Sequence, residues 1–160
     1  MTKQEIHNMC RDHGITNYTI NDDMSVNVYQ AVTLKDYPEE NYIPVNFNKV
    51  EYGFECSFCD IESLKGAPNY IGENFECEGN HIKTFEYFPS VIKESILLSG
   101  NEVAELWNLF EDTKHIEYFN ELDIIQENGN VIILDRLNYF LTDIGKEEVS
   151  KNYIQNYKVI

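Results

Sequence analysis

Phe54-Glu55-Cys56-Ser57-Phe58-Cys59-Asp60-Ile61-Glu62-Ser63-Leu64 returns 21 positions later as Phe75-Glu76-Cys77-Glu78-Gly79-Asn80-His81-Ile82-Lys83-Thr84-Phe85. The period holds from Phe54 to Asn101: Ile61, Leu64, Pro68 and Ile71 come back as Ile82, Phe85, Pro89 and Ile92. In a third, weaker copy Ile96 and Leu98 stand for Phe75 and Cys77, Asn101 for Asn80, and Val103 and Leu106 for Ile82 and Phe85. Self-similarity at such a period signals stacked units, none of which buries its apolar side alone. Alternation in Phe54-Glu55-Cys56 and Phe75-Glu76-Cys77 predicts a very short strand, with ring and thiol inward and carboxylate outward.

The apolar positions Phe54, Cys56, Cys59, Ile61, Leu64 and Phe75, Cys77, Asn80, Ile82, Phe85 resemble the leucine-rich-repeat pattern. The block Ser63-Leu64-Lys65-Gly66-Ala67-Pro68, Tyr70-Ile71-Gly72, Phe75-Glu76-Cys77 resembles more closely the short repeats of bacterial and bacteriophage leucine-rich-repeat proteins, which read SLxGAPxxVGxxFxC. Tyr18 to Val50 resembles the entry region of the same proteins. The resemblance covers about residues 18 to 110 and implies a solenoid and a binding role. A chain turning inside a solenoid leaves backbone polar groups away from water, and a short amide stacked repeat on repeat satisfies them. Asn80 and Asn101 are the expected ladder, with Cys59 standing in for Asn. Two departures predict degeneration toward the C-terminal end. Phe85-Glu86-Tyr87-Phe88-Pro89 replaces the small-residue block, and the third copy lacks the proline and cysteine.

Before the repeat, Thr2-Lys3-Gln4-Glu5 reads as a capping box for a short helix with Ile6, Met9, Cys10 and His13 on one stripe and Gly14 as its stop. From Asn17 to Val50, Val26-Asn27-Val28 and Ala31-Val32-Thr33-Leu34 predict short strands separated by turns at Asn21-Asp22-Asp23 and at Pro38. Pro44, Phe47 and Val50 match Pro68-Ile71 and Pro89-Ile92 only loosely. After Asn101, Val103, Leu106, Trp107 and Phe110 lie on one helical stripe, continued by Ile116, Tyr118, Phe119 and Leu122. Asn128-Gly129-Asn130 is a turn. A helix is expected from Ile132 to Ile144 with Ile133, Leu137, Phe140, Leu141 and Ile144 inward and Gly145 at its end. Tyr153, Ile154, Tyr157 and Val159 form an apolar tail that packs back. The expected fold is therefore α+β: a short leucine-rich-repeat solenoid in one domain of 160 residues. Its parts are an N-terminal helical cap (1–17), the repeat region (18–110) and a helical C-terminal cap (111–160).

The formal charge is −16, from 28 acidic and 12 basic residues, and residues 51–112 alone hold 13 acidic side chains and three lysines. Such a field disfavours direct nucleic-acid or anionic-membrane contact, which needs Lys and Arg, and favours a protein partner with a basic surface. No apolar run is long enough to span a bilayer and no secretory signal opens the chain, so a cytoplasmic setting is expected. Oligomeric state is not readable.

Cys56, Cys59, Cys77 and His81 resemble the spacing of a Cys₃His zinc site, which makes a zinc-stabilised binding domain one alternative. Repeat geometry accounts for the same residues without a metal. Cys56 and Cys77 are equivalent inward positions, Cys59 is a ladder position, and His81 shares a surface slot with Asp60 and Glu102. Reduced, buried cysteines and no cofactor are expected. His7, His13, His81 and His115 are scattered, and Asp22-Asp23 and Glu39-Glu40 read as solvated turns. No catalytic constellation or phosphate loop is present, so catalysis is not expected. A hydrolase with an unrecognised site is the other alternative. The remaining feature is a surface: Glu55, Glu76 and Glu78, with Tyr52, Phe58 and Ser99, would align on the sheet face as an acidic patch with aromatic anchors. The competing reading is a solvated face that only maintains solubility. The leading expectation is a non-enzymatic binding module. The resemblance and the charge together suggest an acidic, phage-borne inhibitor or adaptor of a basic, nucleic-acid-handling host defence protein.

Overall fold

The computed structural model describes residues 1–35 and 40–160, so the expected turn at Pro38 and the Glu39 half of the Glu39-Glu40 pair lie outside the described residues. Helix α1 (Lys3–Asp12) opens on its capping box: Thr2 Oγ1 accepts from the Glu5 N–H at 3.3 Å, and Glu5 Oε2 accepts from the Thr2 N–H at 2.6 Å. Ile6 and Cys10 are buried.

The repeat then appears as coils. Strands β1 (Tyr18–Ile20) and β2 (Val26–Val28) form an antiparallel hairpin. They are followed by β3 (Val32–Thr33), β4 (Phe47–Val50), β5 (Phe54–Glu55), β6 (Tyr70–Ile71), β7 (Phe75–Glu76), β8 (Val91–Ile92) and β9 (Ile96–Leu97). One sheet has the order β1-β2-β4-β6-β8 and the other β3-β5-β7-β9, and every pair after the hairpin is parallel. The result is a β-solenoid of about three turns within a mixed α+β chain.

Register confirms the period. Phe54 pairs with Phe75 and Phe75 with Ile96, while Val50 pairs with Ile71 and Ile71 with Ile92. The loosely spaced Phe47-Val50 segment is therefore in step with the repeat. Sequence alone predicts one strand per repeat; the structure corrects this to two, set on either side of a corner such as Gly72-Glu73-Asn74. The corner is tight. A Cβ on Gly72 would stand 1.9 Å from the Glu51 carbonyl oxygen of the coil before, so only glycine lets the coils close. Gly66 of the Gly-Ala-Pro block is held the same way, at φ +90 and against the Ile43 carbonyl. Inward rings and thiols stack into the core, with Phe54, Cys56, Phe75 and Cys77 each no more than 1% exposed.

Helices α2 (Ala104–Phe110) and α3 (Ile116–Glu121) follow the solenoid, then β10 (Ile125–Gln126), β11 (Val131–Ile132), α4 (Leu134–Asp143) and β12 (Lys158–Val159). Residues 111–160 are thus not purely helical, because β10, β11 and β12 form a three-stranded sheet and Ile132 belongs to a strand rather than to the expected helix. Leu137, Phe140 and Leu141 face inward from α4 as expected, whereas Ile133 and Ile144 are only half-buried. In the tail Ile154, Tyr157 and Val159 are buried and Tyr153 is exposed. The Glu105 carboxylate fastens that tail by accepting from the N–H groups of Gln155 (3.0 Å) and Asn156 (2.9 Å).

The aromatics that break the repeat at 85–88 join the two halves of the chain. Phe88 packs edge-on to Phe75 (5.6 Å between centroids) and stacks on Trp107 (5.7 Å), and Phe85 meets Phe119 at 5.1 Å. Phe110 and Phe119 carry the contact on to Phe140. Small residues at these positions would leave the last coil with nothing to offer the helices.

Candidate functional site

The ladder residues hold the loop that leaves the second sheet. Asn80 Oδ1 accepts from the N–H groups of Cys59 (3.0 Å) and Ile61 (3.2 Å), while its Nδ2 donates to the Cys56 (2.9 Å) and Cys77 (3.2 Å) carbonyls. Asn101 repeats this one coil on, accepting from Ile82 N–H at 3.0 Å and donating to the Cys77 and Leu98 carbonyls. Cys59 Sγ lies 3.4 Å from the Leu34 carbonyl oxygen, as a weak donor in the same column. The ladder expected from sequence is present in all three residues.

With the loop fixed, the outward side chains of the second sheet fall into rows. Register places Thr33, Glu55, Glu76 and Leu97 in one row. Thr33 Oγ1 donates to Glu55 Oε2 at 3.2 Å, so the row begins with a carboxylate held in place. Ser57, Glu78 and Ser99 form the next row: Glu78 N–H donates to Ser57 Oγ at 3.1 Å, and Ser99 Oγ donates to the Glu78 carboxylate. Four of the six expected residues, Glu55, Glu76, Glu78 and Ser99, therefore share this face, and Phe58 stands in the turn that follows β5. Tyr52, 47% exposed, stands instead at the corner between β4 and β5.

Phe58 is the unusual member. Its ring is 74% exposed and its backbone is left-handed at φ +56, in the slot that Gly79 (φ +62) and Gly100 (φ +79) fill in the following coils. A side chain in that region costs about 1–2 kcal/mol. The ring lies flat enough on Gly79 that a Cβ there would come within 2.3 Å of it. Glycine in one coil thus makes the seat for phenylalanine in the coil before.

The four residues of the zinc alternative do not form one site: the Cys56 thiol hydrogen-bonds Cys77, but His81 stands apart from the thiols. Cys56, Cys59 and Cys77 are buried in the reduced form, while His81 lies outside with its Nε2 3.1 Å from Asp60 Oδ1. That pairing is the surface column expected for positions 60 and 81. Among the described residues no three His, Cys, Asp or Glu side chains are placed to hold a metal ion. The thiols are also poorly suited to reaction: Cys56 is pushed well up by its hydrogen bond with Cys77 and by burial, and burial pushes Cys10 up to about 11.

Two surfaces escaped the sequence. On the outer face of the first sheet Lys49 Nζ sits 5.2 Å from the Tyr70 ring centroid with Lys93 Nζ at 6.0 Å, a cation–aromatic column opposite in character to the acidic rows. Beside β9, a groove of about 230 Å³ runs between Ile96-Leu97-Leu98 and the Trp107 side of α2, with Glu78 and Glu111 at its rim. The 21-residue spacing of Lys49 to Tyr70 could have revealed half of the first, whereas Lys93 lies two residues beyond the register partner Val91. Nothing local in sequence places Trp107 beside Leu97. Among the described residues no helix is long and apolar enough to cross a membrane. The chain matches no protein-family model, no curated protein and no solved structure.

Proposed function

We propose that the chain is a short leucine-rich-repeat protein of the bacterial and bacteriophage type, its solenoid closed by helical caps, and that it works as a non-enzymatic binding module for a protein with a basic surface. An inhibitor or adaptor role, directed at a nucleic-acid-handling defence protein, is the biological setting that fits this charge and the repeat. The observation that carries the binding reading is Phe58, an exposed ring held in a left-handed slot beside in-register carboxylates. Strained backbone that supports an exposed aromatic has no use in the core, and strain of this kind concentrates at recognition sites. An aromatic anchor at the end of rows that carry Glu55, Glu76 and Glu78 suits a partner presenting Arg or Lys around an apolar pocket.

The test compares two triple charge reversals of equal size. Host-lysate pull-down with mass spectrometry should recover a basic protein with the wild type and with Asp143→Lys/Glu147→Lys/Glu148→Lys, and lose it with Glu55→Lys/Glu76→Lys/Glu78→Lys. Equal loss from both variants would reduce the effect to bulk charge. Retention by both would place the binding surface elsewhere.

A further inference from the structure

In the second sheet each coil donates forward to the next: Phe54, Cys56 and Phe58 N–H groups reach the carbonyls of Asn74, Glu76 and Glu78. Phe75, Cys77 and Gly79 likewise reach Ser95, Leu97 and Ser99. Carried one coil further, the N–H groups of Ile96, Leu98 and Gly100 point beyond β9, where the sheet has no further strand. The side chains tell the same story: Leu97 is 39% exposed, and Ile96 has lost the cover that Phe75 enjoys at the equivalent place. An unpaired edge with apolar side chains is a template for another strand.

The groove beside this edge has a definite chemistry. Its floor is apolar, from Leu97 and Trp107, its rim carries Glu78 and Glu111, and none of its lining residues is Lys or Arg. Glu111 also ends α2, whose last turn holds no basic residue, so the negative end of the helix adds to the carboxylate. A second copy of the chain fits poorly, since it would bring −16 against −16 and set these carboxylates against their own kind.

We infer that the free edge of β9 takes up an extended peptide segment of alternating basic and apolar residues as an added strand, with main-chain hydrogen bonds to Ile96 and Gly100 and side chains shared between the apolar floor and the acidic rim. This inference rests on the protein-binding reading above and gives it a binding mode, strand addition at a sheet edge. Ser99 already donates to Glu78, so an arriving Lys or Arg exchanges a neutral donor for a charged one.

The test uses the full chain and a fluorescent acetyl-Lys-Val-Arg-Val-Lys-Val-Arg-Val-amide peptide, followed by anisotropy at low salt. Two N-methylated forms of the peptide, blocking alternate amides, separate main-chain pairing from charge. An added strand uses the amides of one edge only, so one form should lose about tenfold or more in affinity and the other should bind like the parent. Ile96→Pro removes an outward donor at a position where an edge strand tolerates proline, and should weaken the parent peptide by a similar factor. Glu111→Lys, which leaves the backbone edge untouched, should also weaken it and keeps the test open if Ile96→Pro fails to fold. Absence of saturable binding, equal binding of both N-methylated forms, or unchanged affinity in Glu111→Lys would overturn the inference. If the peptide fails while the lysate partner is still lost with Glu55→Lys/Glu76→Lys/Glu78→Lys, only the edge is refuted. If the peptide fails and both triple variants treat the lysate partner alike, the acidic-face reading falls with it.

Discussion

Asn80, itself 1% exposed, does in one side chain what a helix cap or a sheet partner does elsewhere, bonding two N–H groups and the Cys56 and Cys77 carbonyls. Replacing it with alanine leaves the Cys59 and Ile61 N–H groups buried without an acceptor, at about 1–3 kcal/mol each. Asn101→Ala strands one such donor, that of Ile82, and should cost about half as much. Asn48, whose exposed amide reaches only Asn27 at 2.8 Å, and exposed Asn152 should change stability little on the same substitution. Urea midpoints in the order Asn80→Ala, then Asn101→Ala, then the two surface variants are expected; midpoints that do not separate would mean the ladder is not a structural necessity. These positions were readable because a buried amide recurring every coil has few other uses. Sequence places Phe58 outward but does not show its strain. Its left-handed backbone shows only when it is aligned with Gly79 and Gly100, and three positions make a thin statistical signal.

Two-residue strands explain which elements escaped the sequence. Tyr70–Ile71 is too short to show alternation, so the first sheet was hidden although its register follows the same period. Between β2 and β4 a bulge at Val26/Asn27 absorbs one residue, so that Val28 pairs with Val50 and the 21-residue search loses the first coil. The sheet of β10, β11 and β12 depends on pairing Val131 with Lys158, a contact that no local pattern encodes. At the element scale the thiols make a pH prediction. Cys10, 0% exposed on the inner side of α1, has its pKa raised from about 9 to about 11 by burial, so the folded state holds the proton that the unfolded chain releases first. A raised folded pKa contributes stability that is complete below about pH 9 and is lost as pH rises toward about 11. Cys56, shifted in the same direction, adds to the same alkaline limb. Urea midpoints should therefore hold steady from neutral pH to about 9 and then decline. Cys10→Ala should lower the midpoint at neutral pH, because it leaves a void, yet flatten that decline. An alkaline slope identical to wild type would show that other groups, such as the buried Tyr157 hydroxyl, set the limb instead.

For the whole molecule the dominant long-range term is repulsion. A charge of −16 on 160 residues exceeds what the ion pairs among the described residues can offset, since pairs such as Lys49–Glu51 and Arg136–Asp123, both at 3.0 Å, are solvent-exposed. The solenoid concentrates this further, because parallel stacking sets Glu55 beside Glu76 in adjacent strands, where like charges disfavour each other by about 0.2–1 kcal/mol. Screening should then stabilise the fold. Raising KCl from about 0.02 to 0.2 M shortens the screening length from more than 20 Å to about 7 Å, and the melting temperature should rise by a few degrees over that range. Most of the gain should come by about 0.2 M, which separates screening from the steadier effect of salt on apolar burial at higher concentration. Glu55→Lys/Glu76→Lys/Glu78→Lys, which reduces the magnitude of the net charge from −16 by six units, should melt higher than wild type at low salt and respond less to added KCl. A partner that brings cations to the acidic face would act as that salt does, and its binding energy would include relief of a repulsion already present in the free protein. A melting temperature that falls with KCl, or a triple variant as salt-responsive as wild type, would show that the acidic rows are not under this strain and would remove the electrostatic reason for a basic partner.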